Sequence, residues 1–309
     1  MYYDLYKHYN LQIQRERLEK NGKIGIRNYR YSCWMNGIIQ CLSHTLPLTD
    51  HLLKNYIPGQ NVIYSSFINL LDKLWTDNTV INASGFHKHF SSNQEDSHEF
   101  LIKIIDTLET ATQYNVKYKI NGPEITERDT LDVKYYKEFI KHALNKSSFI
   151  LHNFYGSLIR TTNDDEILFE FFNCLSLPIQ HDTLSGCIDS YLGDNTFWTL
   201  PNILILHLSR YTNDGNKIKS LVTFPYNLNM TNKVSKKKCD KNNYMYSLYA
   251  VNYHIGTSTD GHYLSACKDI NGEWYTFDDE NVRKTSQDKI INEHAYILFY
   301  QRQFIREAK

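Results

Sequence analysis

The spacing of apolar residues changes near residue 148, and this change limits the folds that are open to the chain. Before it, segments 32–47, 62–75 and 94–109 have the i, i+3, i+4 and i+7 apolar spacing of amphipathic helices, and Pro47 is expected to end the first. After it, short segments are alternately or continuously apolar, as is typical of strands. The predicted strands lie at 149–162, 166–179, 200–211, 245–256, 261–269, 273–282 and 295–302. The pattern therefore predicts an α+β fold, with a helical lobe packed on a mostly antiparallel β lobe and a cleft between them.

The charge of the chain argues against two classes of partner. Its 309 residues contain 34 Lys and Arg and 34 Asp and Glu, so the formal net charge is zero. Because there is no basic field to attract nucleic acid or an anionic membrane, we expect neither as a partner. The N-terminal segment lacks the apolar core of a signal peptide, and no later segment is apolar enough to cross a bilayer. We therefore expect an intracellular monomer of the cytoplasm or nucleus, within a host cell if the chain is viral.

One of the six cysteines stands at a position that activates thiols. None of the cysteines forms a C-x-x-C pair, so we expect no metal or redox site and free thiols throughout. Cys33 begins the first predicted helix after the N-cap candidate Ser32, where the free N–H groups of the first turn stabilise a thiolate. Cys41 lies in the middle of the same helix. Since most cysteines are simply buried, position alone leaves the role of Cys33 open.

A histidine with an orienting carboxylate is the second feature that activates a thiol. His262 stands at the start of a predicted strand, and Asp278 stands in the next strand, after an Asn-Gly turn signal. A two-residue turn at Asn271-Gly272 leaves the two side chains on opposite faces of the sheet. A three-residue loop at 269–271, with Asn271 in the left-handed region, places them directly opposite each other. We predict this second register, or a bulge with the same effect.

Acyl transfer also needs a hydrogen-bond donor for the oxyanion that develops in the transition state. Asn28, five residues before Cys33, is a candidate in the preceding loop. An asparagine in a loop is more often a turn residue, so this signal is weak when taken alone.

Together these residues match a pattern: the chain resembles the ubiquitin-specific proteases, a branch of the papain-like cysteine proteases. Four segments carry the resemblance, in the order that the family has them. They are the cysteine box at 25–45, "QEDSHEFL" at 94–101, the apolar strand at 200–211, and the histidine box with the strands that follow it at 249–302. The resemblance implies a deubiquitinating thiol protease with a papain-like right-hand arrangement.

The resemblance also implies catalytic roles for residues of the matching segments. Cys33 would be the nucleophile, and His262 the general base and then the acid toward the leaving amine. Asp278 would orient the imidazole and stabilise its charged form, a task that Asp279 shares or takes over in some members. Asn28 would donate to the oxyanion.

Substrate contacts and domain boundaries follow from the same resemblance. Asp96 would contact the C-terminal tail of ubiquitin. Tyr263 would help to form the wall of a channel that is too narrow for residues other than glycine. Asp279 would also lie on the substrate side of the site. Residues 1–22 would be an N-terminal extension and 23–309 the catalytic domain. Within that domain, 23–148 would form a mainly helical thumb, and 149–309 a mainly β palm with fingers.

Two departures from the family pattern carry expectations of their own. Arg30 and Tyr31 stand where the family usually has Gly-Asn, and the loss of a freely left-handed glycine predicts a changed loop before Cys33. The C-x-x-C pairs that hold a structural zinc in many members are missing, which predicts shortened, zinc-free fingers. Residues 110–148 have no clear counterpart in the family.

These features lead to one main functional prediction and two alternatives. The main prediction is hydrolysis of the isopeptide or peptide bond after the terminal glycine of ubiquitin, without a cofactor and with ubiquitin or ubiquitinated proteins as partners. Shortened fingers are also compatible with a protease for another ubiquitin-like modifier. The altered loop at Arg30 and Tyr31 is compatible with a ubiquitin-binding module that has little activity.

Overall fold

The computed structural model describes residues 22–56, 59, 61–115, 126–129, 134, 137, 146–161, 167–212, 214–235, 243–257 and 261–303. The predicted N-terminal extension, apart from Gly22, and most of the segment 110–148 lie outside the described residues. The proposed domain boundaries therefore stay predictions.

The α-helices of the described residues are short or of medium length. The α-helices are α1 (Cys33–Ser43), α2 (Leu46–Lys54), α3 (Val62–Thr76), α4 (Ser84–His87), α5 (Ser97–Thr112), α6 (Phe149–Phe154) and α7 (Leu184–Leu192). Within the described ranges, none of these helices is both long and apolar enough to cross a membrane.

The strands of the described residues form one large sheet and two small ones. They are β1 (Tyr114–Asn115), β2 (Lys146–Ser147), β3 (Gly156–Thr161), β4 (Ile167–Phe172), β5 (Leu175–Pro178), β6 (Thr196–Thr199), β7 (Ile203–Ser209), β8 (Asn227–Asn229), β9 (Met245–Gly256), β10 (Gly261–Lys268), β11 (Trp274–Asp278), β12 (Asn281–Thr285) and β13 (Ala295–Arg302).

The large sheet has eight strands in the order β12-β11-β10-β9-β13-β7-β5, and β8 pairs with the part of β9 that β10 leaves free. Its pairs are antiparallel except β5 with β7. Strands β4, β3 and β6 form a separate antiparallel sheet, and β1 pairs with β2. The prediction of an α+β fold with a mostly antiparallel β lobe is therefore confirmed.

Helix α1 lies between α5 and the large sheet, and all of its residues are buried. Trp34 of α1 packs edge to face on Phe100 of α5, with ring centroids 5.4 Å apart. A second apolar cluster covers the opposite face of the sheet beneath α7. Because both faces are covered, β7 is apolar at almost every position instead of alternating. This packing fixes the start of α1 against the β lobe.

Several predicted boundaries were wrong. The strand predicted at 273–282 is two strands, β11 and β12, joined by a two-residue turn. Pro47 does not end the first helix: α1 ends at Ser43, and Pro47 lies in the first turn of α2, where its missing N–H costs nothing. The segment predicted as a strand at 149–162 begins with α6, whose N-cap Ser148 accepts a hydrogen bond from a backbone N–H of the first turn. The segment 166–179 divides into β4 and β5, which belong to different sheets.

The β3, β4 and β6 sheet is built from the segments where the resemblance predicts fingers. Its strands have six, six and four residues. Residues 162–166, between β3 and β4 in the chain, lie outside the described residues. This short sheet fits the predicted right-hand arrangement with reduced fingers.

Candidate active site

Cys33 is the first residue of α1, and only 3% of its surface is exposed. Ser32 occupies the N-cap position, but its hydroxyl does not cap the helix and instead accepts a hydrogen bond from the Tyr29 N–H at 2.9 Å. The thiol therefore stands at the positive end of the helix dipole, beside N–H groups that the N-cap side chain leaves free.

His262 lies between this thiol and Asp278. The imidazole Nε2 is 2.6 Å from Oδ1 of Asp278. A hydrogen bond with the Cys33 side chain is the largest cause that raises the pKa of His262, to about 9, while burial opposes the shift and Asp278 adds to it. A histidine with such a pKa is protonated at neutral pH, so the Cys33 side chain has a charged imidazolium beside it.

The hairpin that brings these residues together differs from the predicted one by a single position. The loop has three residues, as expected, but they are 270–272 instead of 269–271. Gly272, with φ of 81°, is the left-handed residue instead of Asn271, and its N–H donates to the Asp269 carbonyl at 3.0 Å. This is a turn followed by a left-handed bulge residue, a common three-residue hairpin connection.

The shift changes the register and preserves the shared face. Ser265 pairs with Phe277, so His262 falls opposite position 280 and not opposite Asp278. The predicted register was therefore wrong. Because the displacement is two positions along β11, Asp278 stays on the face of His262 as its diagonal neighbour, and the expected contact forms.

Asp279 ties the β lobe to the cysteine loop. It is the first residue of the two-residue turn between β11 and β12 and has a left-handed φ of 51°. Its Oδ1 accepts from the Asn36 Nδ2 at 2.7 Å, and its Oδ2 accepts from the Asn28 Nδ2 at 2.8 Å. Burial raises the pKa of Asp279, and the two amide donors oppose that shift. A strained backbone held by two amides is consistent with a functional position.

Asn28 is held from both ends of its amide. Its Oδ1 accepts from the Ser32 N–H at 2.9 Å, and one proton of its Nδ2 goes to Asp279. A primary amide has two N–H protons, so one is left to donate to an oxyanion. The loop that follows is left-handed at Arg30 (φ 48°) in spite of the missing glycine, and also at Tyr31 (φ 63°).

Sequence reasoning missed two residues that shape this site. Asn36 stands three positions after Cys33, on the same face of α1, and that spacing is the signal that could have found it. Gly25 lies against the β11–β12 turn, where an added Cβ would come within 2.4 Å of the Glu280 carbonyl oxygen. The neighbouring Ile26 N–H donates to the Asp279 carbonyl at 2.9 Å. Residues 25–28 thus pack against the β11–β12 turn and hold it in place.

The predicted substrate residue Asp96 is the N-cap of α5. Its Oδ1 accepts from the His98 N–H at 2.6 Å, and its Oδ2 accepts from the Tyr296 hydroxyl at 2.6 Å. Close by, the Gln94 Nε2 donates to the Gly261 carbonyl at 2.8 Å and joins the helical lobe to β10. The carboxylate of Asp96 is thereby fixed at the junction of the two lobes.

A group of rings continues from Asp96 along the β lobe, and we call Tyr211, His254, Tyr263 and Tyr296 the aromatic wall. Tyr263 is 4% exposed and stacks on His254, with ring centroids 4.3 Å apart. Burial raises the pKa of Tyr263 and lowers that of His254 to about 4. The His254 Nδ1 lies 2.6 Å from the Tyr211 hydroxyl. His254 is thus a neutral packing residue.

His262, Asp278 and Asp279 also have potential ligand atoms within 4.8 Å of one another, close enough to hold a cation. Both oxygens of Asp279 already accept from amides, and Asp278 faces the imidazole. This donor set is therefore better suited to orienting a histidine than to coordinating a metal ion.

Comparisons with known proteins match most of the chain. The family model described as ubiquitin carboxyl-terminal hydrolase matches residues 24–300. The chain is 27% identical to "Ubiquitin carboxyl-terminal hydrolase Usp2" of Drosophila melanogaster, over 92% of this chain and 35% of that protein. It is 29% identical to "Ubiquitin carboxyl-terminal hydrolase 2" of Homo sapiens, over 91% of this chain and 55% of that protein. The chain thus spans from about a third to about half of the length of these relatives.

Solved structures establish the similarity of fold. One is titled "Structure of the SAGA Ubp8/Sgf11/Sus1/Sgf73 DUB module"; the TM-score is 0.72 at 24% identity, and the match covers 98% of this chain and 74% of that chain. Another is the same module "bound to ubiquitin aldehyde", with a TM-score of 0.72, 23% identity, and coverage of 99% of this chain and 74% of that chain.

Proposed function

Because the chain belongs to the ubiquitin carboxyl-terminal hydrolase family, we propose that it is a cysteine-type deubiquitinase that cleaves the isopeptide or peptide bond after the terminal glycine of ubiquitin. The observation that carries the proposal is the position of His262 between the Cys33 thiol and Asp278, with a pKa of about 9. A buried structural cysteine has no need of an imidazolium and an orienting carboxylate.

In the proposed mechanism, the Cys33 thiolate attacks the carbonyl carbon of the terminal glycine and forms a tetrahedral oxyanion. The free amide proton of Asn28 and the N–H groups at the start of α1 stabilise that charge. As the intermediate collapses, the C–N bond breaks and His262 gives its proton to the departing amine. A thioester with Cys33 remains. Neutral His262 then takes a proton from water, which attacks the thioester, releases the ubiquitin carboxylate and restores the thiolate–imidazolium pair.

The proposed roles of the two acids differ. Asp278 keeps the imidazole in position and stabilises its protonated form through the 2.6 Å contact. Asp279 supports Asn28 and Asn36 through its two oxygens. In this arrangement Asp279 acts through the residues that it holds, whereas Asp278 acts on the histidine itself.

For the substrate tail, we propose the passage bordered by Asp96 and the aromatic wall. Tyr263 and Tyr296 are buried against their neighbours, so their rings are rigid and leave little room for side chains. Such a passage selects glycine residues by excluding larger ones. The fixed carboxylate of Asp96 is suited to accept hydrogen bonds from backbone N–H groups of an extended tail.

Ubiquitin or ubiquitinated proteins are the proposed partners, in the cytoplasm or nucleus, and the chain is proposed to act as a monomer without a cofactor. A second candidate, a protease for another ubiquitin-like modifier, is favoured by one observation. The β3, β4 and β6 sheet has strands of four to six residues and offers little surface to hold the body of ubiquitin.

The test uses ubiquitin and related modifiers that carry an electrophile at the C-terminus. Wild-type protein, Cys33→Ala and Cys41→Ala are incubated with each probe; Cys41 is the matched control because it lies on the same helix. Labelling by the ubiquitin probe that is lost only in Cys33→Ala supports the proposal. Labelling by another modifier alone supports the second candidate, and ubiquitin binding without labelling would show a binding module.

A further inference from the structure

The two residues before Ser32 have an unusual backbone. Arg30 and Tyr31 have φ values of 48° and 63°, so two consecutive residues other than glycine are left-handed. This region is unfavourable for side chains of that size, since Cβ approaches the carbonyl oxygen. Glycine would adopt the same path freely, so the chain keeps two bulky side chains here at a cost to stability.

The strained loop is held in place by the residues that build the active site. The Tyr29 N–H donates to the Ser32 hydroxyl at 2.9 Å, and the Ser32 N–H donates to Asn28 at 2.9 Å. Asn28 in turn donates to Asp279 at 2.8 Å. The position of the loop relative to the thiol is therefore fixed, as a recognition surface requires.

The side chains that this loop presents are exposed aromatic rings. Tyr31 is 70% exposed and Tyr29 is 38% exposed, and the Arg30 guanidinium lies over the Tyr29 ring at 5.3 Å. A single exposed aromatic residue is ordinary. Two within three residues, one of them on left-handed backbone and both close in sequence to a nucleophile, indicate that the rings serve a purpose other than folding.

The neighbourhood of the loop indicates what the rings contact. Within the part of the chain that the structure describes, the ring contacts of the aromatic wall do not extend to Tyr29 or Tyr31. Asn28, which begins the loop, instead borders a cavity of about 430 Å³. The cavity also includes Asp278, the partner of His262. Because Nε2 of His262 is engaged by Asp278, the proton for the departing amine comes from Nδ1, and the leaving group lies on the Cys33 side of the ring, next to the segment that ends at Ser32.

The charges of the cavity fit a lysine-bearing leaving group. Its lining residues are Arg27, Asn28, Asp278, Asp279, Glu280 and Asn281. Of the three carboxyl groups, Glu280 is paired with Arg27 at 3.7 Å and Asp278 with His262 at 2.6 Å, so the lining keeps an excess of one negative charge. The amine released from an isopeptide bond becomes a cation, and basic residues near the modified lysine are cations as well, so both are complementary to this lining.

We propose that Tyr31, with Tyr29 beside it, is the contact surface for the acceptor side of the substrate: the main chain and aliphatic stem around the modified lysine of the ubiquitinated protein. This inference rests on the proposed function and names the part of the substrate that the aromatic wall does not hold. A rigid, exposed ring supplies contact area with little loss of side-chain entropy on binding.

The experiment compares two substrates that share their ubiquitin part. One carries a small aminocoumarin after the terminal glycine, and the other carries a peptide linked through a lysine side chain. In Tyr31→Gly the backbone can keep its left-handed path while the ring is lost. We expect the ratio of kcat/KM for the peptide substrate to kcat/KM for the coumarin substrate to fall about five- to tenfold, mainly through KM, as the loss of one aromatic contact predicts. Tyr31→Phe should keep the wild-type ratio.

Tyr114→Gly is the matched control, because this tyrosine is 56% exposed and belongs to β1. Its ratio should equal that of the wild type. A Tyr31→Gly variant that hydrolyses coumarin and has an unchanged ratio would overturn this inference alone. Wild-type protein that hydrolyses neither substrate would overturn the proposed function, and the inference with it.

Discussion

Replacing Asp278 with asparagine should move the alkaline limb of the pH–rate profile to lower pH. The pKa of His262 is about 9, and a hydrogen bond with Cys33 is its largest raising cause, with further contributions from Asp278 and Asp279. A raised pKa means that the protonated form is favoured up to that pH. Because the imidazolium is both the partner of the thiolate and the proton donor, activity is expected below this pKa and should be lost as pH rises through it.

The size of the shift follows from the geometry. Two unit charges 4 Å apart attract by about 1 kcal/mol in water and about 4 kcal/mol at an effective dielectric constant of 20. The side chains of His262 and Asp278 are 40% and 50% exposed, so solvent screening places this pair near the lower value, at about 1–2 kcal/mol. Since one pKa unit corresponds to about 1.4 kcal/mol, the limb should move from about 9 to about 8.

The rate at neutral pH should fall less in Asp278→Asn than in Asp278→Ala. An amide oxygen can still accept from Nε2–H and orient the ring, so we expect a loss of about tenfold in kcat/KM, equivalent to the charge contribution alone. Alanine removes the orienting contact as well, and a loss of about 10²- to 10⁴-fold is expected.

The assay is hydrolysis of ubiquitin aminocoumarin from pH 5 to pH 10, with kcat/KM determined at each pH. Asp182→Asn, an exposed carboxyl group before α7, is the control and should keep the wild-type profile. A limb that stays at about 9 in Asp278→Asn would refute the argument that the Asp278 charge acts on His262. A limb that moves only in Asp279→Asn would transfer the role to that residue.

Three further predictions concern the nucleophile, the β11–β12 turn and a buried arginine. In Cys33→Ala, the pKa of His262 measured by NMR titration should fall from about 9, because its largest raising cause is removed; an unchanged value would contradict the thiol–imidazole contact. Gly25→Ala places a methyl group within 2.4 Å of the Glu280 carbonyl oxygen and should cost about 1–3 kcal/mol in denaturant unfolding, together with activity; wild-type stability would show that the β11–β12 turn is not held there. Arg210 is fully buried and donates to three backbone carbonyls, so Arg210→Lys should lower the free energy of unfolding by about 2–3 kcal/mol, and an equally stable variant would count against the need for the guanidinium fork.

Local sequence patterns predicted correctly those elements that have the same surroundings along their whole length. Helix α3 and strands β9 and β13 agree with their predicted bounds within one residue, because one apolar pattern, periodic in the helix and nearly continuous in the strands, extends through each of them. The predictions failed where one apolar segment serves two structures. The segment 166–179 keeps its strand composition while it passes from one sheet to another, and composition carries no information on which neighbour a strand pairs with.

For the candidate site, the sequence by itself determined which chemical groups are present and that Cys33 begins a helix. It also showed that the register of the hairpin places His262 and Asp278 either on the same face of the sheet or on opposite faces. The tertiary structure decided between them through Gly272, since one residue can move the loop and with it each pair in the register.

The contacts of Asp279 with Asn28 and Asn36 join residues that lie more than 240 positions apart in the chain. Such contacts leave no periodic signal, because they depend on how two lobes pack and not on the spacing of neighbours. The left-handed backbone of Arg30 and Tyr31 could not be predicted for the same reason. The local conformational preference of these residues opposes it, and the hydrogen bonds that hold the loop extend to the β11–β12 turn. The sequence thus determined the reactive groups, and only the packing of the two lobes decided their geometry.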